Sequence, residues 1–140
     1  MSVIVTDQGF SDADWPPGFL NLVQLRNSET GGHAVDIPND IEADELTRFF
    51  PQVAMFRIPF PGFADGRGFT LARRLRLLGF RGRLRATGHV IADQYPLARK
   101  CGFDEVEISD EMAARQNAAQ WQLRRDFSKG DYQTRLLRTG

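Results

Sequence analysis

The sequence predicts an α/β fold: a small, mainly parallel sheet of about four strands alternating with helices, preceded by an N-terminal hairpin or loop region. Three observations carry this. From His33 onward, short runs of strand formers alternate with segments whose apolar residues recur at helical spacing. Gly79 and Gly102 stand where two of those segments should end. The connections between successive strands are too short for anything but right-handed crossovers.

Ser2 to Thr6 alternates weakly as a strand, Asp7-Gln8-Gly9 is a turn signal, and Trp15-Pro16-Pro17-Gly18 forbids regular structure. A further strand is read over Leu20 to Leu25, followed by a polar connector to Gly32. His33 to Ile37 is a short strand. Asp40 is a candidate N-cap for a helix from Glu42 to Phe50, with acids in its first turn. Val53 to Phe60 is an apolar strand, and the glycine-containing loop Pro61 to Gly68 leads into a helix over Thr70 to Leu78. Arg83 to Thr87 is the next strand, Val90 to Lys100 a helix with Val90, Gln94, Leu97 and Cys101 along one side, and Phe103 to Ile108 another strand. Ser109 or Asp110 can cap a final helix reaching about Phe127. The chain therefore reads as one domain over 1–140: an irregular region 1–32, strand–helix units over 33–127, and an arm over 128–140.

With 140 residues, 41% hydrophobic and 26% charged, such a chain buries on the order of two-thirds of its unfolded surface. The single cysteine, Cys101, excludes an internal disulfide framework and a Cys-rich zinc site and suits a reducing compartment. Met1 to Asp7 lacks a basic, apolar leader, and no run approaches a membrane span. A soluble, cytoplasmic protein with no membrane partner is expected.

The formal charge of zero conceals an uneven distribution. Residues 1–65 hold 10 acids and 3 bases, residues 66–100 hold 1 acid and 9 bases, and residues 101–140 hold 7 acids and 6 bases. Arg67, Arg73, Arg74, Arg76, Arg81, Arg83 and Arg85 fall in a stretch with no carboxylate. Two readings stand side by side: these arginines pair with acids of the first segment once folded, or they form an anion-binding surface, since guanidinium offers a planar fork of donors. Nucleic acid is not an expected partner, because no aromatic side chains interleave the arginines.

Ligands of parallel α/β sheets sit outside the carboxyl ends of the strands, near helix N-termini. Two segments belong there: Phe60 to Thr70, with Gly66 and Gly68 permitting close backbone approach, and Arg85-Ala86-Thr87-Gly88-His89. Gly66, Arg67, Gly68, Thr70, Arg85 and Gly88 are the candidate anion-binding residues. Asp65-Gly66-Arg67-Gly68 is equally a tight turn in which Asp65 caps its own backbone. Asp65, His89 and Asp93 are candidate acid/base groups; His89 and Asp93, four apart on the expected helix, would share a face and orient an imidazole or hold a metal. With His33 and His89 the only histidines, no metal centre is expected. Cys101, ending an apolar stripe without a second cysteine, reads as a buried thiol rather than a nucleophile. Trp121 lies off the stripe of the last helix, either on an exposed face that would make a homo-oligomer or in the core through a different helix rotation.

Phe60-Pro61-Gly62-Phe63-Ala64-Asp65-Gly66-Arg67-Gly68-Phe69-Thr70-Leu71-Ala72-Arg73, Leu84-Arg85-Ala86-Thr87-Gly88, Asp93-Gln94 and Arg99-Lys100-Cys101-Gly102-Phe103-Asp104 together resemble the signature of a bacterial family of unknown function, domain nine-three-four in that series. The match is specific over Val53 to Ile108 and looser over His33 to Phe50, and the family usually carries Gly-Asp where this chain has Gly88-His89. Members are often labelled probable oxidoreductases involved in sulfite reduction, because their genes neighbour those of sulfite reductase and the sulfonucleotide reductase. The resemblance implies a process rather than a reaction. No dinucleotide fingerprint, Cys-x-x-Cys, iron–sulfur cysteine set or haem motif is present in the sequence, so no cofactor is expected. Three functions follow as expectations: an accessory protein of sulfate and sulfite assimilation binding a sulfur oxyanion or sulfonucleotide; a cofactor-free module docking on sulfite reductase or the sulfonucleotide reductase through the basic block or the last helix; or a small lyase, hydrolase or isomerase using Asp65, His89 or Asp93 as base.

Overall fold

The structure is a computed structural model that describes residues 2–12, 18–116 and 119–121. Strands β1 (Ser2–Thr6) and β2 (Gly9–Asp12) form the expected hairpin. Where a strand over Leu20 to Leu25 is expected, the chain instead forms helix α1 (Leu22–Arg26). The cause is local: Asn21 Oδ1 accepts from the Gln24 backbone N–H at 2.9 Å, and the Gln24 side chain accepts from the Asn21 N–H at 2.9 Å. This reciprocal box satisfies two donors that only a helix start leaves open. Leu20 alone stays extended, bridging to Val35 of β3 (His33–Asp36).

The expected helix after Asp40 is a 3-10 helix, Ala43–Gln52, whose N-cap is Glu42 with no side-chain capping bond. Ala43, Leu46 and Phe49 are buried at a spacing of three, the 3-10 period. Pro51 in the last turn has no N–H to give to an α-helical ladder. Strand β4 (Val53–Phe60) follows, then α2 (Arg67–Leu77). Helix α2 begins three residues before the expected start because Asp65 accepts from the Arg67 backbone N–H at 3.1 Å.

Strand β5 runs Arg83–Gly88. The single helix expected over Val90 to Lys100 divides into a 3-10 turn, Ala92–Gln94, and helix α3 (Tyr95–Cys101) with proline in its first turn. Pro96 fits a helix only there, which fixes the start. The buried side chains of α3 are Tyr95 and Ala98, while Leu97 is exposed, so the expected stripe is not the buried face. Strand β6 (Glu105–Ser109) leads into α4 (Asp110–Arg115), where Ser109 caps as expected, its Oγ accepting from the Met112 N–H at 3.2 Å. Helix α4 stops where Gln116 turns extended. The remainder of the expected last helix beyond Trp121, and the arm over 128–140, lie outside the described residues. Trp121 is buried, its indole N–H donating to the Gln116 carbonyl and its ring beside Tyr95; of its two readings, the core one holds.

The sheet has six strands in the order β2-β1-β6-β5-β4-β3. Strands β3 to β6 are the expected parallel four; β1 joins β6 antiparallel, so the hairpin extends the same sheet. On one sheet face Val35, Phe56, Ile58, Phe60, Leu84, Ala86, Val106 and Ile108 build a core with Phe69, Leu71, Ala72 and Leu75 of α2 and Tyr95 and Ala98 of α3. Each such Leu, Ile or Phe contributes roughly 1.5–3 kcal/mol relative to exposure. On the other face one register row runs Asp36, Arg57, Arg85, Glu105 across four strands.

Gly88 closes β5 with φ of 105°, and a Cβ there would stand 2.6 Å from the Phe60 carbonyl oxygen. Gly88→Ala should therefore destabilise the protein by more than the roughly 1–2 kcal/mol of a left-handed L-residue alone. Urea unfolding is the check, with a lowered midpoint and an unchanged slope expected.

Candidate functional site

The charged row is a connected network. Arg57 grips Asp36 with two bonds, Nε to Oδ1 at 2.5 Å and Nη2 to Oδ2 at 2.8 Å, and its Nη1 reaches both oxygens of Glu107 at 3.2 and 3.3 Å. Arg85 donates through Nε and Nη2 to Glu105 at 3.2 and 3.0 Å and through Nη1 to Glu107 at 3.0 Å. Arg83 closes the chain on Glu105 at 2.7 and 2.9 Å. The Arg85 side chain is only 1% exposed and that of Glu105 only 4%. Phe19 lies 3.7 Å under the Arg57 guanidinium, a stacking contact that arginine favours.

The acid-free block is thus largely paired, and its main partners are Asp104, Glu105 and Glu107 of the last segment. Arg76 donates to the carbonyls of Phe80, Gly82 and Gly102 and to Asp104, pinning the ends of the loops that flank β5. First-segment acids take Arg74, through Asp44 at 3.3 Å, and Arg57, through Asp36. Among the described residues, Arg73 and Arg81 are exposed and form no ion pair.

At the carboxyl end of β4, the loop to α2 is the tight turn that one reading anticipated. Asp65 accepts from the Arg67 backbone N–H, from Arg67 Nε at 3.0 Å and Nη2 at 2.8 Å, and from Asn39 Nδ2 at 3.2 Å. The Arg67 side-chain bonds, then its backbone N–H, hold the Asp65 carboxyl well below the usual carboxylate range. Gly66 caps α2, Gly68 is buried with Phe60 against it, and Thr70 is exposed. The structure therefore brings Arg67 to Asp65 rather than to Arg85.

His89 follows β5 in a bend, its N–H donating to the Phe60 carbonyl at 2.8 Å. It does not share a helix with Asp93, which sits in the 3-10 turn. Gln94 beside it links two loops: its side chain accepts from the Ile91 N–H at 3.1 Å and donates to the Phe63 carbonyl at 2.8 Å. Phe63 is thereby held edge-on to the His89 ring at 5.1 Å. Burial pushes the Cys101 thiol up, partly countered by Arg73, the environment of an inert thiol. Among the described residues no group of three or more His, Cys, Asp or Glu is placed to hold a metal ion, and no helix is long and apolar enough to cross a membrane.

A recess of about 380 Å³ opens outside the carboxyl ends of β5 and β6, where Phe63, Thr87, His89, Glu107, Ser109 and Arg115 are among its lining groups. Of the expected site residues, Gly88 and His89 line it; Asp65, Gly66, Arg67, Gly68, Thr70, Arg85 and Asp93 do not. Glu107, Glu111 and Arg115 are the charged groups that sequence reasoning missed. The Glu105-Val106-Glu107-Ile108 alternation was the available signal for a strand with one polar face.

Arg85→Ala, which removes the buried guanidinium and leaves Glu105 to Arg83 and Glu107 to Arg57, should cost up to about 3–5 kcal/mol. Arg67→Ala, at the exposed turn, should leave the unfolding midpoint close to wild type. Chemical denaturation of the two variants side by side checks the contrast.

Residues 34–139 match the family model described as "Bacterial protein of unknown function (DUF934)". No curated protein and no solved structure matches the chain.

Proposed function

The chain belongs to this bacterial family of unknown function, and on that premise we propose that it binds a sulfonucleotide or related sulfur oxyanion in the recess at the ends of β5 and β6, as an accessory of sulfate and sulfite assimilation. One observation carries the reading: a single recess combines the Arg115 guanidinium, the Thr87 and Ser109 hydroxyls and the exposed Phe63 ring, with the carboxylates of Glu107 and Glu111 also in its lining. Guanidinium and hydroxyl donors suit oxyanion oxygens, and an aromatic face suits a planar base. The position is the one that open parallel sheets use for ligands. Its volume of about 380 Å³ lies at the lower end of the roughly 300–1,000 Å³ of small-molecule sites. The link to sulfur chemistry comes from the family resemblance of the strand-end motifs.

Compared with the sequence expectation, this reading keeps Gly88, moves the anion from Arg67 to Arg115, and gives Arg85 a supporting place behind Glu107. A binding role is favoured over acid/base catalysis because His89 alone of the three candidate groups lines the recess. Calorimetric titration with adenosine 5′-phosphosulfate, sulfite and sulfate tests it. Binding by at least one below millimolar concentration is expected, weakened roughly tenfold or more in Arg115→Ala by loss of a charge-assisted bond. Absence of binding by all three at millimolar concentration overturns it.

A second reading rests on the outer helices. Helices α2 and α3 carry Arg67, Arg73, Arg74, Arg76, Arg99 and Lys100 and no acid; Arg67, Arg74, Arg76 and Arg99 pair with acids of other segments, Arg73 is exposed, and Leu77 is 72% and Leu97 47% exposed. Such a basic surface with apolar side chains suits an acidic partner surface, with sulfite reductase or the sulfonucleotide reductase as the partner. Capture of either reductase should be lost in Arg73→Glu/Arg81→Glu and retained in Arg115→Ala; capture that survives the double charge reversal contradicts docking through this face.

A further inference from the structure

Resting on the recess proposed above as the binding site, we infer that Glu107 is a specificity residue which reads hydrogen-bond donors of the ligand, so that the ligand is a ribonucleotide-type anion with a free vicinal diol rather than a bare oxyanion. The two oxygens of Glu107 are unequally used. Oε1 accepts from Arg85 at 3.0 Å and Arg57 at 3.2 Å, whereas Oε2 has one long contact, 3.3 Å to Arg57. An ionised carboxylate has about four acceptor sites and no donor, so Oε2 retains capacity on a residue that lines the recess.

The rest of the lining limits what can fill that capacity. Ser2, Thr87 and Ser109 can donate or accept, Arg115 only donates, and Glu111 is a second carboxylate that only accepts. A sulfite or sulfate ion offers acceptor oxygens and negative charge, so against Glu107 it would set acceptor to acceptor and like charge to like. Beside Arg115 it would be satisfied. With two carboxylates and one guanidinium in the lining, a ligand that fills the recess must carry donors as well as an anion, on different parts of one molecule. A water takes up about 30 Å³ of liquid, so about 380 Å³ holds far more than one oxyanion. The adjacent hydroxyls of a ribose present two donors to one carboxylate, and the phosphosulfate end supplies the anion. Asp36 on the far side of Arg57 and Glu105 on the far side of Arg85 fix both guanidiniums behind Glu107, so the carboxylate is already oriented before a ligand arrives.

The test titrates the full chain with adenosine 5′-phosphosulfate, its 2′,3′-dideoxy analogue and inorganic sulfite. On the wild-type protein the dideoxy compound should bind at least about tenfold more weakly, the worth of a hydrogen bond to a charged group. Glu107→Gln should erase that difference and, by removing a like charge from the lining, tighten sulfite binding. Equal affinity for the two nucleotides on the wild-type protein overturns the inference, as does a Glu107→Gln variant that folds and still discriminates between them. Because Glu107→Gln can loosen the network, the wild-type comparison decides without it. Sulfite binding with no nucleotide binding overturns this inference and leaves the oxyanion reading standing; no binding by any probe overturns both.

Discussion

The carboxylates of β6 are the constraint around which the other parts are arranged. Glu105 and Glu107 sit on one face of an inner strand, and burying such charges without partners would cost several kcal/mol each. Their partners all come from one side in the sheet order: Arg83 and Arg85 on the neighbouring β5, and Arg57 from β4 beyond it. Because β5 and β6 are parallel and lie in register from Arg85 to Glu105, a slip of one residue would turn every one of these groups to the apolar side. The network therefore selects register more sharply than the apolar face, where one Val, Ile or Leu can replace another at small cost.

That constraint reaches the candidate site through Glu107, the member of the network that lines the recess. The recess wall on this side is set by strand register, not by loop conformation. Helix α4 supplies Glu111, Met112 and Arg115, and Phe63 and His89 come from loops that are tied down individually. Asn39 donates to the Pro59 carbonyl and to Asp65, Gln94 holds the Phe63 carbonyl, and the His89 N–H holds the Phe60 carbonyl. Sites that are shaped before binding lose less ordering entropy when a ligand arrives. The Gly88 backbone, which no side chain could occupy without meeting Phe60, lets the two walls approach.

Much of the parallel core was legible because its signals are local. Leu71 and Leu75 at helical spacing, Gly79 and Gly102 at helix ends and the apolar run of β4 each report a structure that neighbours in sequence suffice to specify. What failed depended on finer local chemistry or on distance along the chain. The Asn21–Gln24 box outweighed the apolar run Leu20 to Leu25, and Pro96 moved the start of α3. The partners of the arginine block could not be read, because Arg85 meets Glu105 and Glu107 some twenty residues away through strand adjacency, and no periodicity encodes adjacency. The hairpin was visible as a hairpin; its place beside β6 was not. Trp121 was undecided for the same reason, since its burial depends on Tyr95 of α3.

The arginine block thus divides by the geometry of what each guanidinium meets. Where the chain offers a carboxylate or several carbonyls, as for Arg76, Arg83 and Arg85, arginine acts as a cross-link, and its five donors in a fixed fork do what lysine could not. On the outer face of α2 the fork finds little, and Arg73 remains exposed near Leu77. A run of one charge sign therefore has two physical meanings in one chain, separated by sheet and helix. Strand arginines meet acids on the next strand because side chains of adjacent strands stand about 5 Å apart. Outward-facing helix arginines find acids only on neighbouring segments, as Arg74 finds Asp44, and Arg73 meets none because its own helix holds no acid. The basic charge that meets no carboxylate is what remains after β6 has taken its share, and Arg73 carries it on the helical layer, while Arg115 at the end of α4 is the guanidinium that lines the recess at the strand ends.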